Sequence, residues 1–148
     1  HIVIAEKLNK PLFLHERSAS GDFIRRFKKH PDICAKSVVH CFTGDKATLE
    51  QYLAMGFSIG ITGWICDEKR SKELREAVRL IPPDRILVET DAPYLAPKNV
   101  SGLDRVNVPQ NIVYVVRELA KHMKVAEDEL VEHARKNTER IFGIRREE

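Results

Sequence analysis

The sequence predicts an α/β domain that is built on a parallel β-sheet. Four short apolar runs alternate with segments of helical periodicity along the chain. No hairpin dipeptide such as Asn-Gly joins consecutive runs, which favours helical crossovers between parallel strands. Each run also ends on a polar or titratable residue: His15, His40, Thr62, and Glu89 with Asp91. The carboxyl ends of parallel strands lie at one end of a sheet, so we expect these side chains to be neighbours.

The first predicted elements are the end of a helix, a strand and a second helix. The opening residues, HIVIAEKLNKP, have the periodicity of the second half of an amphipathic helix but no N-cap, so we expect the chain to be cut from something longer. Residues 11–15, PLFLH, form a predicted strand. The helical pattern of residues 18–30 should end at Pro31, because proline does not continue a helix.

The second and third units repeat the order of strand and helix. They are strand 36–42 with helix 45–55, and strand 57–61 with helix 67–81. Gly56 is expected to end the first of these helices as a C-cap. Pro82 and Pro83 should end the other one.

The fourth unit begins with a strand over residues 85–90, RILVET. A polar connector that contains prolines then runs over residues 92–106. Pro109 suits the first turn of the next helix, over residues 110–123, because proline has no backbone N–H to donate there. A last helix is predicted over residues 127–141.

Two architectures are built from such units, an open doubly wound sheet and a closed (β/α)₈ barrel. The glycine pattern G-x-G-x-x-G of the open dinucleotide-binding folds is missing, and GITG at residues 60–63 does not supply it. Titratable residues at the carboxyl ends of strands are typical of barrel enzymes. We therefore predict that residues 1–148 are a single partial domain, containing four of the eight units of a barrel.

Composition excludes several other classes of protein. The 148 residues are 43% hydrophobic and 32% charged, which is typical of one ordinary globular domain. A net charge of +3 neither supports nor excludes a nucleic-acid partner, since basic footprints are larger and clustered. Three cysteines without a close pair favour a reducing compartment and predict a cytoplasmic protein. The longest apolar run, IVYVV, is too short to cross a membrane.

Half a barrel would leave two kinds of surface uncovered. Its outer strands would lack a partner on one side. The inward residues Phe13, Val38 and Leu87 would lose the opposite wall, at roughly 25 cal/mol for each Å² of apolar surface left in water. We therefore expect an N-terminal half, in another segment or another chain, to complete the domain.

The candidate site consists of His15, His40, Glu89 and Asp91. Each histidine shares its strand face with apolar residues, and the two acids share one parity, so all four are expected to point inward. Two inward acids need a positive or hydrogen-bonding partner. That partner is predicted to be a divalent metal, since imidazole with carboxylate suits zinc, manganese or iron, and more carboxylate and water favours magnesium.

Other interpretations of these residues remain open from the pattern alone. A histidine at a strand end is often a structural residue, and Glu89 with Asp91 could pair with Arg17 or cap the following helix. Arg17 is either a solvated cation or a bidentate phosphate clamp. Trp64 either packs a loop or stacks on a base. Cys41, on the opposite strand face from the preceding histidine, is expected to be a buried structural thiol.

Four separated motifs carry a family resemblance: PLFLHERSA, VVHCFTG, IGITGWICDEKR and IPPDRILVETDAPYL. In order and spacing they resemble the TatD family of metal-dependent deoxyribonucleases, which are amidohydrolase-like TIM barrels. The resemblance implies that the chain is the C-terminal half of such a barrel, with strands 5 to 8 and their helices. It also implies site roles, with His15, His40 and Asp91 as metal ligands and Asp91 and Glu89 as catalytic carboxylates.

The chain departs from the family pattern in two places. The His-x-His motif of the first barrel strand and the glutamate of the fourth strand have no counterpart here, although they complete the metal site in the family. The later RNEP-like element is present as RVNVP, residues 105–109, with Val108 at the position of the acid. Asn107 and Pro109 keep their places in that element.

The function implied by the resemblance is hydrolysis of DNA phosphodiesters, including exonucleolytic removal of nucleotides, by a metal-activated water. One or two ions of magnesium, manganese or zinc are the expected cofactor, and single-stranded DNA or DNA 3′ ends are the expected substrate. Asp91 would accept a proton, Arg17 would hold a phosphoryl oxygen, and Trp64 would stack on a terminal base. Two alternatives are an amidohydrolase or lactonase on the same barrel, and a non-catalytic half-barrel that needs a complementary chain.

Overall fold

The computed structural model describes residues 1–144 and contains one four-stranded parallel sheet. The strands are β1 (Phe13–His15), β2 (Val38–His40), β3 (Ser58–Ile61) and β4 (Ile86–Val88), and they lie side by side in chain order. All three pairings are parallel, as the sequence predicts. The register places His15 directly beside His40. Within the described residues, β1 and β4 each pair on one side only, so both lateral edges of the sheet are open.

Seven α-helices accompany the strands in the described part of the chain: α1 (Ile2–Leu8), α2 (Ser20–Phe27), α3 (Pro31–Cys34), α4 (Lys46–Ala54), α5 (Lys72–Ala77), α6 (Ile112–Met123) and α7 (Glu127–Phe142). Short 3₁₀ turns cover Gly63–Cys66, Val78–Leu80, Pro83–Arg85 and Pro109–Asn111. The start of α4 has a clear local cause, because the Asp45 carboxylate accepts the backbone N–H of Thr48 at 2.8 Å. None of the described helices has the length and apolar character needed to cross a membrane.

Two predicted helices are shorter than the sequence pattern indicates. The helix predicted over residues 18–30 ends at Phe27, and Pro31 begins the separate helix α3 because proline is well suited to a first helical turn. The helix predicted over residues 67–81 begins only at Lys72. The segment before it is held in an irregular turn, since the Ser71 hydroxyl donates to the carbonyl oxygen of Ile65 at 3.1 Å. These side-chain bonds compete with the backbone bonds of a longer helix.

One face of the sheet carries the main hydrophobic core. Tyr52, Phe57, Ile59 and Leu119 are fully buried there. The centroid of the Phe57 ring lies 5.4 to 6.1 Å from those of Phe23, Phe27 and Tyr52. This face is covered by helices that follow the strands, as expected for β/α units.

The opposite face of the sheet is partly covered, which corrects an expectation. Val38 and Leu87 were expected to be left in water by half a barrel, but both are buried in a cluster with Ile141 of α7. The C-terminal end of α7 thus covers part of the face on which the opposite barrel wall was expected. Phe13 is 54% exposed, as expected, and its ring lies 6.1 Å from that of Phe142.

Helix α7 is fixed to the start of β4 by a buried side chain. Asn137 donates from Nδ2 to the carbonyl oxygens of Pro83 at 2.8 Å and Ile86 at 2.9 Å. Asn137 is almost fully buried, so these bonds satisfy polar groups that have no access to water. The contact holds α7 against the start of β4.

Candidate metal centre

The centre of the candidate site is the imidazole of His40, which lies between two carboxylates at the carboxyl end of the sheet. Its Nδ1 is 2.7 Å from Oε2 of Glu89, and its Nε2 is 3.5 Å from Oδ1 of Asp91. The Glu89 oxygen also accepts the backbone N–H of Cys41 at 3.1 Å. The hydrogen bond from His40 to Glu89 raises the pKa of His40 above its ordinary value, and the Asp91 charge adds to this effect.

Gly60 makes the contact between His40 and Glu89 possible. The two residues come from β2 and from the end of β4, and β3 lies between those strands. A Cβ atom on Gly60 would overlap the carboxyl group of Glu89. Only a residue without a side chain therefore lets the Glu89 carboxylate cross β3 to reach His40.

Asp91 reaches His40 by a different route from the one the strand pattern predicts. Strand β4 ends at Val88, and Asp91 has a left-handed backbone with φ of 58°. Its side chain faces His40 because the chain turns after the strand. Strand alternation therefore accounts for the direction of the Glu89 side chain, whereas the direction of the Asp91 side chain depends on the loop.

His15 occupies the neighbouring strand end. It is the register partner of His40, and the centroids of the two imidazole rings are 5.8 Å apart. The Phe13 ring lies 4.7 Å from the His40 ring and forms part of its apolar surroundings. Both histidines therefore stand at one end of the sheet, as predicted, and their assignment as metal ligands stays a prediction.

The donor atoms fit a divalent cation. A neutral His40 that donates from Nδ1 to Glu89 presents the Nε2 lone pair toward the Asp91 oxygen, so a proton or a cation is needed between them. The second oxygen of Glu89, Oε1, is buried and has no hydrogen-bond partner among the described residues. The site therefore holds acceptor capacity that the described chain does not use.

Cys41 lies closer to the site than its strand parity indicates. A ligand atom from each of His40, Cys41 and Asp91 falls within 4.8 Å of the others. Cys41 has a left-handed φ of 50°, so the alternation of strand faces does not extend to it. Its Sγ is 3.2 Å from Oγ1 of Thr62, and burial raises the pKa of the thiol. A buried, protonated thiol agrees with the structural role expected of Cys41.

The residues predicted to contact substrate line the same pocket, which has a volume of about 260 Å³. Its lining comprises His15, Glu16, Arg17, Cys41, Thr43, Trp64, Asp91, Tyr94 and Leu95. The carboxylates of Glu89 and Asp91 both lie beside His40, at 2.7 Å and 3.5 Å from its ring nitrogens. Sequence reasoning missed Tyr94, which is 71% exposed at the rim of the pocket. An exposed aromatic side chain in a polar connector was the available signal.

One face of the Trp64 ring is already occupied. The guanidinium of Arg70 lies 3.8 Å from the ring centroid. Asp67 holds Arg70 in place, with Oδ2 at 3.0 Å from its Nε and at 2.7 Å from Nζ of Lys98. A base can therefore stack only on the opposite face of Trp64.

Parallel β/α units with histidines and carboxylates at the carboxyl strand ends are an arrangement that barrel enzymes use to bind metals. The chain belongs to the TatD related DNase family, whose profile matches residues 1–143. The resemblance drawn from the four motifs is thereby confirmed.

Relatives and solved structures agree with this family. The chain is 44% identical over 145 residues to the 3′-5′ ssDNA/RNA exonuclease TatD of Erwinia amylovora, covering 97% of this chain and 56% of that protein. It is 45% identical over 121 residues to the protein of the same name from Rahnella sp., covering 80% and 46%. The crystal structure of YJJV, a TatD homologue from Escherichia coli K12, matches with a TM-score of 0.86 and 26% identity over 97% of this chain and 54% of that one. The chain thus spans about half the length of the relatives it matches.

Proposed function

We propose that the protein containing this chain is a TatD-like, metal-dependent nuclease that hydrolyses phosphodiester bonds in single-stranded nucleic acid. The observation that carries the proposal is the bridging of Glu89 and Asp91 by His40, next to His15, at the carboxyl end of a parallel sheet. The relatives named 3′-5′ ssDNA/RNA exonuclease support removal of nucleotides from 3′ ends and a substrate of DNA or RNA. The three cysteines of the present chain are free thiols, which supports a cytoplasmic location for the protein.

The proposed cofactor is one or two ions of magnesium, manganese or zinc, held by His15, His40 and Asp91. Glu89 engages Nδ1 of His40, which leaves Nε2 as the ligand atom. Two imidazoles favour manganese or zinc over magnesium, which prefers oxygen ligands. When bound, such an ion lowers the pKa of a water molecule and neutralises charge on the phosphoryl oxygens.

The two carboxylates have different roles in the proposal because they differ in exposure. The Asp91 side chain is 35% exposed, so it can both bind the ion and accept the proton of the attacking water. The Glu89 side chain is 13% exposed and faces His40, so it orients the imidazole. Both are predicted to be essential, Asp91 for proton transfer and Glu89 for holding the ligand ring.

Side chains of the pocket wall are proposed to position the nucleic-acid substrate. Arg17 is proposed to hold a non-bridging phosphoryl oxygen with two N–H donors. Trp64 and Tyr94 lie on the same pocket and are proposed to stack on the terminal bases. Unpaired bases expose their faces for stacking, so these rings favour single strands over duplex.

The proposal also takes the chain as the C-terminal half of a (β/α)₈ barrel. Both lateral edges of the described sheet are open, and Val3, Ile4, Leu8 and Phe13 are each more than half exposed. Barrel strands 1 to 4 would pair with these edges and cover these residues. They would also carry the His-x-His motif and the glutamate that the family resemblance implies.

The test is a substrate panel with the full-length protein. A 3′-labelled single-stranded oligonucleotide is compared with a 5′-labelled one, a duplex, an amide and a lactone, each with and without EDTA. We expect metal-dependent loss of the 3′ label from the single strand. Hydrolysis of the amide or lactone but not of the oligonucleotides would favour an amidohydrolase and contradict the nuclease. Inactivity of the full-length protein toward every substrate would support a non-catalytic assembly.

A further inference from the structure

The loop that carries Asp91 is held by a buried side chain that is not part of the pocket lining. Asn107 lies in the connector before α6 and is 3% exposed. Its Nδ2 donates to the carbonyl oxygen of Thr90 at 3.0 Å and to that of Tyr94 at 2.7 Å. These two carbonyls stand on either side of Asp91 in the chain, so one amide group bridges the loop.

The backbone adds further bonds to the same loop. The N–H of Asn107 donates to the carbonyl oxygen of Pro93 at 2.9 Å, and the N–H of Tyr94 donates to that of Asp91 at 2.8 Å. The loop from residue 90 to residue 94 is thus closed on itself and fixed to Asn107. Fixing is needed because Asp91 holds a left-handed φ of 58°, which residues with a Cβ rarely adopt.

The orientation of the Asn107 amide is set by backbone groups. Its Oδ1 accepts the N–H of Val108 at 3.0 Å, and a backbone N–H can only donate. The carbonyls of Thr90 and Tyr94 can only accept, so they require the Nδ2 side of the amide. The Asn111 side chain reinforces this orientation, since its Nδ2 donates to the same Oδ1 at 2.9 Å.

We infer that Asn107 is a positioning residue for Asp91, which fixes the loop so that the Asp91 carboxylate faces His40. This inference rests on the proposed function, in which Asp91 is a metal ligand and the proton acceptor. It also explains how the connector can contribute although Val108 replaces the acid of the family motif. In the RVNVP segment, the Asn107 amide holds the Asp91 loop, and this role requires no carboxylate at residue 108.

The matched variants are Asn107→Asp and Asn137→Asp in the full-length protein. Both residues are buried asparagines that donate from Nδ2 to two carbonyl oxygens beside β4, Asn107 after its end and Asn137 around its start. Each substitution keeps the shape and replaces the donor by an acceptor that faces two carbonyls. They therefore carry similar structural damage, but only the first one is next to Asp91.

Three quantities are measured for each variant: the Kd for Mn²⁺ by calorimetry, kcat and KM on a single-stranded oligonucleotide, and Tm without metal. For Asn107→Asp we expect a Kd for Mn²⁺ that is raised about 10- to 100-fold. We also expect kcat at saturating Mn²⁺ to fall by a similar factor, with KM nearly unchanged. For Asn137→Asp we expect a lower Tm, with the Kd for Mn²⁺ and kcat within about twofold of wild type, a margin near 0.4 kcal/mol.

A milder variant tests the inference in case Asn107→Asp does not fold. Asn111→Ala removes one bond to the Asn107 oxygen and keeps both donors to the loop, so a two- to fivefold loss in Mn²⁺ affinity is expected, roughly 0.4 to 1 kcal/mol. If Asn107→Asp folds, wild-type Mn²⁺ affinity and kcat in it overturn the inference. If it does not fold, wild-type values in Asn111→Ala overturn it. Wild-type protein that neither binds Mn²⁺ nor cleaves the oligonucleotide would instead contradict the proposed function.

Discussion

The two ends of the sheet use buried polar groups in opposite ways. At the amino end, both carbonyl groups that Asn137 reaches are satisfied by its amide, and Ile141 covers the apolar side chains beside them. At the carboxyl end, Glu89 keeps a buried oxygen without a partner in the described chain, and two acceptors on His40 and Asp91 face each other at 3.5 Å.

Residues at the amino end therefore stabilise the fold, whereas residues at the carboxyl end are arranged to bind a ligand. At the amino end, apolar packing and satisfied hydrogen bonds stabilise the folded state without a ligand. The acceptors of His40, Glu89 and Asp91 at the carboxyl end suit a proton or a cation, and such arrangements are common at functional sites. Substitutions at the two ends should therefore change different measured quantities.

The largest effect is expected from His40→Ala in the full-length protein. His40 joins both carboxylates and is a proposed ligand, so turnover should fall at least about 100-fold, with much weaker metal binding. The Tm without metal should fall by only a few degrees, because the imidazole is not part of the apolar cluster under α7. Near-normal turnover at limiting metal would count decisively against the assignment.

Gly60→Ala should come close to this loss. The new Cβ would displace the Glu89 carboxylate from His40, so metal affinity and turnover should both fall by about tenfold or more. The control is Gly21→Ala, because a Cβ on Gly21 in α2 meets nothing within 4 Å. Equal metal affinity in the two variants, measured by calorimetry, would show that the close approach of Glu89 to β3 has no role.

Leu87→Ala tests the part of the sheet that α7 covers. Leu87 is 3% exposed and packs with Val38 and Ile141, so truncation should lower the free energy of unfolding by about 2–5 kcal/mol. The Kd for Mn²⁺ of the folded protein should stay within about twofold of wild type, near 0.4 kcal/mol. Urea unfolding and calorimetry measure the two quantities. A large loss of metal affinity would show that the two ends of the sheet are coupled.

The smallest effect concerns pH and Asp67, beside the Trp64 wall. The hydrogen bond from the Lys98 ammonium lowers the pKa of Asp67 below its ordinary value of 3.8. A carboxyl with a lowered pKa stabilises the fold above the unfolded-state value, and this stability is lost as the pH falls through the folded-state value. Asp67→Asn should therefore be less stable than wild type at pH 7, and the difference should shrink below about pH 3.8 in urea unfolding.

The sequence pattern predicts the strands and the position of both histidines at one end of the sheet. His15 and His40 end apolar runs that form β1 and β2, and the strand order follows from the repetition of β/α units. What the pattern missed depends on contacts between distant segments. Ile141 of α7 buries Val38 and Leu87, and no local periodicity reports which helix will cover which face of a sheet.

Local backbone conformation accounts for the remaining differences. Cys41 and Asp91 both have left-handed φ values just after a strand, so the alternation of faces ends before them. Pro31 begins a helix instead of ending one, and the two roles of proline have the same sequence signature. Alternation within a strand predicts side-chain direction, but it gives no information once the chain turns.

The most direct test of the account is a crystal structure of the full-length protein soaked in Mn²⁺, with anomalous scattering recorded at the manganese edge. We predict a peak at bonding distance from Nε2 of His40, shared with His15 and Asp91, and with Glu89 still hydrogen-bonded to Nδ1 of His40. A protein without manganese at the carboxyl end of the sheet, or with the ion bound away from these three residues, would contradict the proposed metal centre.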